Sequence, residues 1–491
     1  MMRQLTTLPL LALFSAFTAV AQTPAALERE ARFRAAEAWF DQQMISEMVP
    51  AGTVAVVHDQ DIVWEHAYGI ANLETGRAAT PETTFSVCSI SKLFTSVGVM
   101  TLVEDGKVEL DAQLSSYLPE FKPASKEAVV EEPITIRGLL SHSAGLPREG
   151  TGTYWNTLDF PDAEELEARV NSLGRLYTPF TNYQYSNIGM SLLGKVIATV
   201  SEQSFADYID SEIFTPLGLN TMDTDLPLVD DGRYAIGYTD HDAQGQRQAV
   251  TPYTLNGLAP AAGLRASVRD LAKFAAWQFR LLENGEPEVL ERVTLRNMQR
   301  VHWMDPDDPE SGIFGLGFSH GKLGDTAVVG HGGYCLGHRS YLGLDTSEQV
   351  AVTAMVNVND VAPRTLVAAV HGLTAGTLSV DDDSAESASE AEADKAIEAM
   401  MQYEGEYRWR NLPDGSYVLP TAAGSLELVN LYSDNPGDTM SFTHIEGDTF
   451  RYQRADGDLG AELTFERDQA GEISALVIDG YRSLKVGGSA W

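Results

Sequence analysis

Three short runs in this chain carry side chains that could act on one another: Ser89-Ile-Ser-Lys92, Tyr185-Ser-Asn187 and His331-Gly-Gly333. A serine hydroxyl is a weak nucleophile until a base takes its proton. Lys92 lies three residues after Ser89, so the two share a face if the segment is helical. It can take that proton if desolvation lowers its pKa. A helix beginning at Ser89 also sets unpaired N–H groups and a positive dipole end beside an oxyanion. Tyr185 is a second candidate base, provided that Lys92 and other cations pull its pKa down from about 10. Asn187 could hydrogen-bond a substrate amide. The glycines after His331 let a substrate backbone approach a strand edge. Together these groups are the equipment of a serine acyl-transfer enzyme.

Each run has a competitor. Ser319-His-Gly-Lys322 repeats the Ser-x-x-Lys spacing, and Gly317-Phe-Ser-His-Gly321 fits the nucleophile-elbow pattern. Both motifs need a helix after the serine. Leu323–Gly330 is β-prone instead, so Ser319 is expected in a turn. Tyr154-Trp-Asn156 repeats the Tyr-x-Asn spacing in a loop context.

The elements around these runs follow from hydrophobic period. Leu27–Met48 is helical in spacing. Thr53–His58 and Ile62–Tyr68 read as a hairpin across Asp59-Gln60-Asp61. Ser91–Asp105 places Leu93, Val97, Met100 and Val103 on one helical face. Helical patterns recur at Asp162–Leu173, Ile188–Val200, Val268–Leu282 and Val361–Leu373. Between the last two, Ala327–Val329, Ser340–Leu344 and Val350–Val356 alternate with turns. Strands at both ends of the domain with helices between them imply one antiparallel sheet flanked by helices, with a helical subdomain inserted: an α+β fold. Asp381–Asp394 holds seven acids and no base, so it is expected to be a linker. Beyond it, strand-like runs at Tyr403–Trp409, Tyr417–Leu419, Leu426–Leu431, Ser441–His444, Phe450–Gln453 and Ala461–Glu466 suggest a small all-β sandwich or barrel. The expected organisation is a signal at 1–21, a catalytic domain at 24–378, a linker at 379–396 and a β domain at 397–491.

Composition narrows the function further. Arg3 is the only charge before the apolar run Leu8–Val20, and Ala19-Val20-Ala21 suits cleavage before Gln22. The run is too short for a membrane span. The expectation is therefore a periplasmic or secreted protein with no membrane anchor after cleavage. A net charge of −36 repels nucleic acid and anionic membrane surfaces. No His or Cys spacing suits a metal, and no glycine-rich loop suits a phosphate, so no metal and no cofactor are expected.

With these motifs assembled, the chain resembles the serine β-lactamase and penicillin-binding-protein superfamily, on its class C, D-peptidase and family VIII esterase side. The resemblance spans about Val49–Asn357. It includes Thr84-Phe-Ser-Val87, Leu139-Leu-Ser-His-Ser-Ala-Gly-Leu-Pro147, Tyr185-Ser-Asn-Ile-Gly189, Ala262-Gly-Leu-Arg265 and Gly330-His-Gly-Gly333. It implies a β-lactamase/transpeptidase-like fold in which Ser89 is acylated and Lys92 and Tyr185 shuttle protons. It places the oxyanion hole at the N–H groups of Ser89 and Tyr334, next to Gly333, and makes His142 a packing residue. Many relatives carry Lys-Thr-Gly where this chain has His331-Gly-Gly333. A neutral histidine weakens the positive field there, which disfavours anionic β-lactams unless Arg339 faces the cleft. The resemblance also places Cys88 and Cys335 on facing walls of the cleft, implying a disulfide in an oxidising compartment. The expected activity is hydrolysis of a small ester, amide or peptide, including D-residue peptides, with weak β-lactam turnover. The alternative is a penicillin-binding sensor that acylates without efficient turnover. A third reading makes the C-terminal β domain a carbohydrate or protein binder.

Overall fold

Val350–Val356 is apolar or small at all but one of its positions and buried at every one, as a strand must be when both sheet faces are covered. In the computed structural model, which describes residues 23–123, 132–224, 232–304, 312–378, 390–409 and 415–487, this strand lies inside a nine-stranded sheet. It pairs antiparallel with Ala51–His58 on one side and His338–Asp345 on the other. Ala51–His58 continues into the expected hairpin with Asp61–Asn72. His338–Asp345 pairs with Thr326–Cys335, and that strand with Ser319–Leu323. His331 is therefore within a strand, rather than in the turn between two strands, and Leu342 is its partner across the ladder.

Helices cover both faces. One core joins Ala55, Val57, Leu342 and Met355 to the helices Ser91–Glu104, Asn187–Ser201 and Val268–Asn284. The other joins Val54, Val352, Ala354 and Val356 to the helices Pro24–Ser46 and Pro363–Thr374. The first helix starts where Thr23 Oγ1 accepts the Ala26 N–H, with Pro24 at the first helical position. A small sheet of Thr84–Ser86, Leu264–Ser267 and Asp223–Thr224 leads the chain into the nucleophile turn.

The C-terminal domain is a closed barrel of eight antiparallel strands between Gly405 and Lys485. Ile473–Ile478 and Tyr481–Lys485, which the local pattern did not single out, are the strands that close it. Most of the expected linker lies outside the described residues, but its last part falls in the helix Glu390–Met401. A run of acids with alanines is helix-competent once the following turns pack, as Ile397 does.

The barrel packs directly on the catalytic domain. Tyr417, Leu419, Val429 and Leu431 on its outer face share a core with Trp39 and Phe40 of the first helix. Trp39 Nε1 donates to the Ser433 carbonyl at 2.9 Å, Gln43 Nε2 to Leu431 at 2.9 Å, and Arg34 pairs with Glu404 at 2.6 Å. The first helix thus serves two domains at once. Trp39→Ala is expected to lower the unfolding free energy by about 3–5 kcal/mol, read by equilibrium denaturation with urea. A loss under about 1 kcal/mol would mean that this shared core does not hold the barrel in place.

Candidate active site

Ser89 sits in a single 3-10 turn, Cys88–Ile90, between the strand Thr84–Ser86 and the helix Ser91–Glu104. Cys88 before it has φ +52°, a left-handed conformation that a non-glycine residue adopts only when its surroundings enforce it. The enforcement is local. Ser91 Oγ donates to the Cys88 carbonyl at 2.6 Å and accepts the Leu264 N–H at 3.0 Å. The next helix is buried on almost every side, which takes Lys92 out of water entirely.

Lys92 Nζ donates to the Ala261 carbonyl at 2.7 Å and lies 3.1 Å from Ser89 Oγ. The three-residue spacing thus does what a helical face requires. Burial holds the Lys92 pKa well below the ordinary lysine value, opposed by Glu149 and reinforced by Arg148. An uncharged amine keeps a lone pair for the Ser89 proton.

Tyr185 goes the other way. Burial raises its pKa, against a hydrogen bond with Ser89 that lowers it. Desolvation works against a phenolate and outweighs the Arg148 guanidinium, which lies 4.9 Å from the ring centroid. The raised pKa favours the protonated phenol, which can donate. His331 is also stripped of charge. Its pKa falls to about 3 through burial and the proximity of Lys92. Its Nδ1 is 2.7 Å from the Gly332 carbonyl, so the proton sits there and leaves Nε2, which has no partner among the described residues, as an acceptor.

The third wall is the end of the His331 strand. A Cβ on Gly333 would lie 2.1 Å from Ser340 Oγ and 2.2 Å from the Val87 carbonyl oxygen. Only glycine lets this strand lie so close to the turn that carries Ser89. Ser340 Oγ donates to that same Val87 carbonyl at 2.7 Å. Cys88 and Cys335 are disulfide-bonded, with Cα atoms 5.7 Å apart, and tie the two walls together across 247 residues of chain. Tyr334 projects into the open, 62 % exposed, with the Arg339 guanidinium 5.3 Å from its ring centre.

The resulting cleft holds about 480 Å³ and is lined by Ser89, Tyr185, His331, Gly333 and Tyr334. Asn187 does not line it. Its amide nitrogen donates to Glu149 and its backbone opens the helix Asn187–Ser201, while its buried Oδ1 has no partner among the described residues. His142 is buried behind Tyr185, with ring centroids 4.4 Å apart, and accepts the Ser186 N–H at 3.2 Å, as a packing residue should. Ser319 begins a strand, not a turn, and donates to the Gly330 carbonyl at 2.7 Å. Tyr154 donates to Glu149 at 3.0 Å rather than repeating the role of Tyr185.

Sequence reading missed Tyr183, Arg148 and Arg364, which also line the cleft. Arg148 directly follows the Leu139–Pro147 run and could have been found there. Arg364 opens a helix far along the chain and carried no signal. Arg339 does face the cleft.

Residues 36–375 match the protein family described as Beta-lactamase. The chain belongs to the beta-lactamase family. It is 29 % identical over 315 residues to a D-aminopeptidase of Brucella anthropi, covering 63 % of this chain and 56 % of that one. It is 30 % identical over 241 residues to esterase EstB of Burkholderia gladioli, covering 46 % and 60 %. The chain thus spans between 56 % and 60 % of these curated relatives. Among solved structures, the octameric penicillin-binding protein homologue from Pyrococcus abyssi matches with a TM-score of 0.60 over 92 % of this chain and 99 % of that one, at 23 % identity. The D-amino acid amidase from Ochrobactrum anthropi SV3 complexed with D-phenylalanine matches with 0.59 over 72 % and 99 %, also at 23 %. Those likenesses are of fold. In this member of the beta-lactamase family the third motif is uncharged, and the positive charge of the cleft comes from arginines outside all three motifs.

Gly333→Ala tests the close approach. The added methyl meets backbone, which cannot yield as a side-chain tip would, so a loss of about 1–3 kcal/mol is expected, measured by denaturation. A neutral result would mean the strand stands further from the Ser89 turn.

Proposed function

We propose that this protein is an exported serine hydrolase that cleaves amide or ester bonds through an acyl-Ser89 intermediate. The observation that carries this reading is the fully buried Lys92 amine, 3.1 Å from the Ser89 hydroxyl. Ser89 Oγ attacks the substrate carbonyl carbon while Lys92 takes its proton. The tetrahedral oxyanion is held by the N–H groups of Ser89 and Tyr334, each contributing about 3 kcal/mol in the transition state. Tyr185, protonated and hydrogen-bonded to Ser89, passes a proton to the leaving nitrogen or oxygen and is reprotonated from the Lys92 ammonium. Water then attacks the ester carbonyl and gives a proton to Lys92, and the Lys92 ammonium protonates Ser89 Oγ as the acid product leaves. His331 Nε2 accepts from a substrate N–H. The Cys88–Cys335 disulfide supports an oxidising, extracytoplasmic compartment.

The relatives named D-aminopeptidase and esterase support amide and ester substrates, with D-residue peptides ahead of simple esters. The charge of the cleft refines this. Arg148, Arg339 and Arg364 line it, and no carboxylate does among the described residues. The weak positive field expected from His331 alone is thereby restored. A substrate bearing a carboxylate is favoured over one presenting a free ammonium.

The deciding comparison sets wild type against Ser89→Ala on a p-nitrophenyl ester, a D-alanyl p-nitroanilide, its N-succinyl derivative and nitrocefin. Wild type is expected to turn over at least one, the mutant none, and the succinylated anilide is expected to exceed the free amine by about tenfold in kcat/KM. Full activity in the mutant removes Ser89 as nucleophile. A stoichiometric burst without turnover selects the penicillin-binding sensor instead.

The pH profile separates Lys92 from His331 as the group whose titration limits activity. Protonated Lys92 cannot accept, so activity falls at low pH and rises as Lys92 loses its proton, well below the usual lysine range. His331, pushed down to about 3, stays neutral throughout. The acidic limb of kcat/KM is expected to stay in place in His331→Gln. A limb that moves or vanishes in that variant would assign the titration to His331.

A further inference from the structure

The barrel is filled at one end and hollow at the other. Tyr403, Phe450 and Phe465 pack with ring centroids 4.5–5.7 Å apart, and Tyr407 lies 5.8 Å from Phe465. Phe442 joins them in the same core. At the opposite end a cavity of about 330 Å³ remains.

Register shows that this cavity faces the barrel interior. In an antiparallel ladder, paired residues point to one side, and so do residues two apart. Leu476 is an interior residue, packed in the barrel core. It pairs with Ser483, and Ile478 pairs with Tyr481. Ser483 pairs with Trp409, and Tyr407, two residues back, pairs with Ser416. Val418, two beyond Ser416, is interior and pairs with Leu428. These inward positions supply every side chain that lines the cavity. An eight-stranded barrel has room for filling side chains or for one small ligand; this barrel divides its length between the two.

The lining chemistry narrows the ligand. Trp409 and Tyr481 meet edge to face at 5.1 Å, with Tyr481 58 % exposed at the opening. Leu428, Leu476 and Ile478 make an apolar wall. Besides the N–H of Trp409 and the O–H of Tyr481, the polar lining consists of Ser416 and Ser483, and no charged group lines the space among the described residues. A charged ligand would be desolvated without a counter-ion, and a sugar would leave most of its hydroxyls unpaired. A flat ring with one polar substituent satisfies both the aromatic pair and a serine. We propose that the hollow half of the barrel is a binding site for a neutral aromatic molecule of the indole or phenol class. Nothing in this site touches the Ser89 cleft, so the proposal stands apart from the hydrolase reading.

Isothermal titration of the full chain with indole tests it, beside Ser483→Phe, which fills the cavity, and Tyr481→Ala, which removes the exposed ring. Circular dichroism and the unfolding midpoint establish that each variant is folded. Wild type is expected to bind one indole, with affinity at least about tenfold weaker in Ser483→Phe and about three- to tenfold weaker in Tyr481→Ala. If Ser483→Phe does not fold, Tyr481→Ala decides alone, since its side chain is exposed. No binding to wild type, or unchanged binding in the folded variants, overturns the proposal. Tighter binding of methyl glucoside than of indole overturns the aromatic assignment.

Discussion

A lysine amine with no exposed surface must find an anion or give up its proton, and Lys92 has no carboxylate at ion-pair distance among the described residues. Its two partners are a backbone carbonyl and the Ser89 hydroxyl. Much of the surrounding architecture follows from keeping it there. The helix that carries it is enclosed by the helices Asn187–Ser201 and Val268–Asn284. The short Ala259–Ala262 turn is pinned against it twice, by Lys92 on Ala261 and by Thr95 Oγ1 on the Pro260 carbonyl at 2.7 Å. The same dryness pushes the pKa of Lys92 down, that of Tyr185 up and that of His331 down to about 3, so one physical cause favours the uncharged form of all three.

Geometry across the cleft depends on a second constraint, the contact of the His331 strand with the Ser89 turn. Three independent features hold it: glycine at 333, the Ser340 hydrogen bond to Val87, and the Cys88–Cys335 disulfide. The first removes a side chain, the second satisfies a buried carbonyl, and the third is covalent. The proposed oxyanion site, drawn from two distant chain segments, would need its donors fixed before charge develops, and this redundancy fixes the two segments against each other.

Charge is distributed unevenly. The chain carries 70 acids against 34 Lys and Arg, yet among the described residues the cleft is lined by three arginines and no acid. The remote field repels anions while the local one receives them, and added salt screens the remote field more than the enclosed cleft. The barrel, seated on the back of the first helix, shares the core of the catalytic sheet and is part of the same folded body.

What the sequence by itself determined were the features that local geometry dictates. A Ser-x-x-Lys spacing on a helix puts hydroxyl and amine together wherever that helix lies. Alternating apolar runs become strands, and Val350–Val356, apolar or small at all positions but Thr353, becomes a doubly covered one. Glycine at 333 and cysteines at 88 and 335 became meaningful once family likeness placed them on facing walls. What only the tertiary structure decided depends on atoms far apart in the chain. The opposite shifts of the Lys92 and Tyr185 pKa values come from desolvation, to which every surrounding helix contributes. Asn187 was legible as a polar group near the site, but Glu149 claims its amide, and no spacing announces that pair. Arg148, Arg339 and Arg364 come from separate segments and form a cleft charge only after folding. The last two barrel strands, too, are defined by the ring they close: a short strand is marginal alone and stable once both edges are paired.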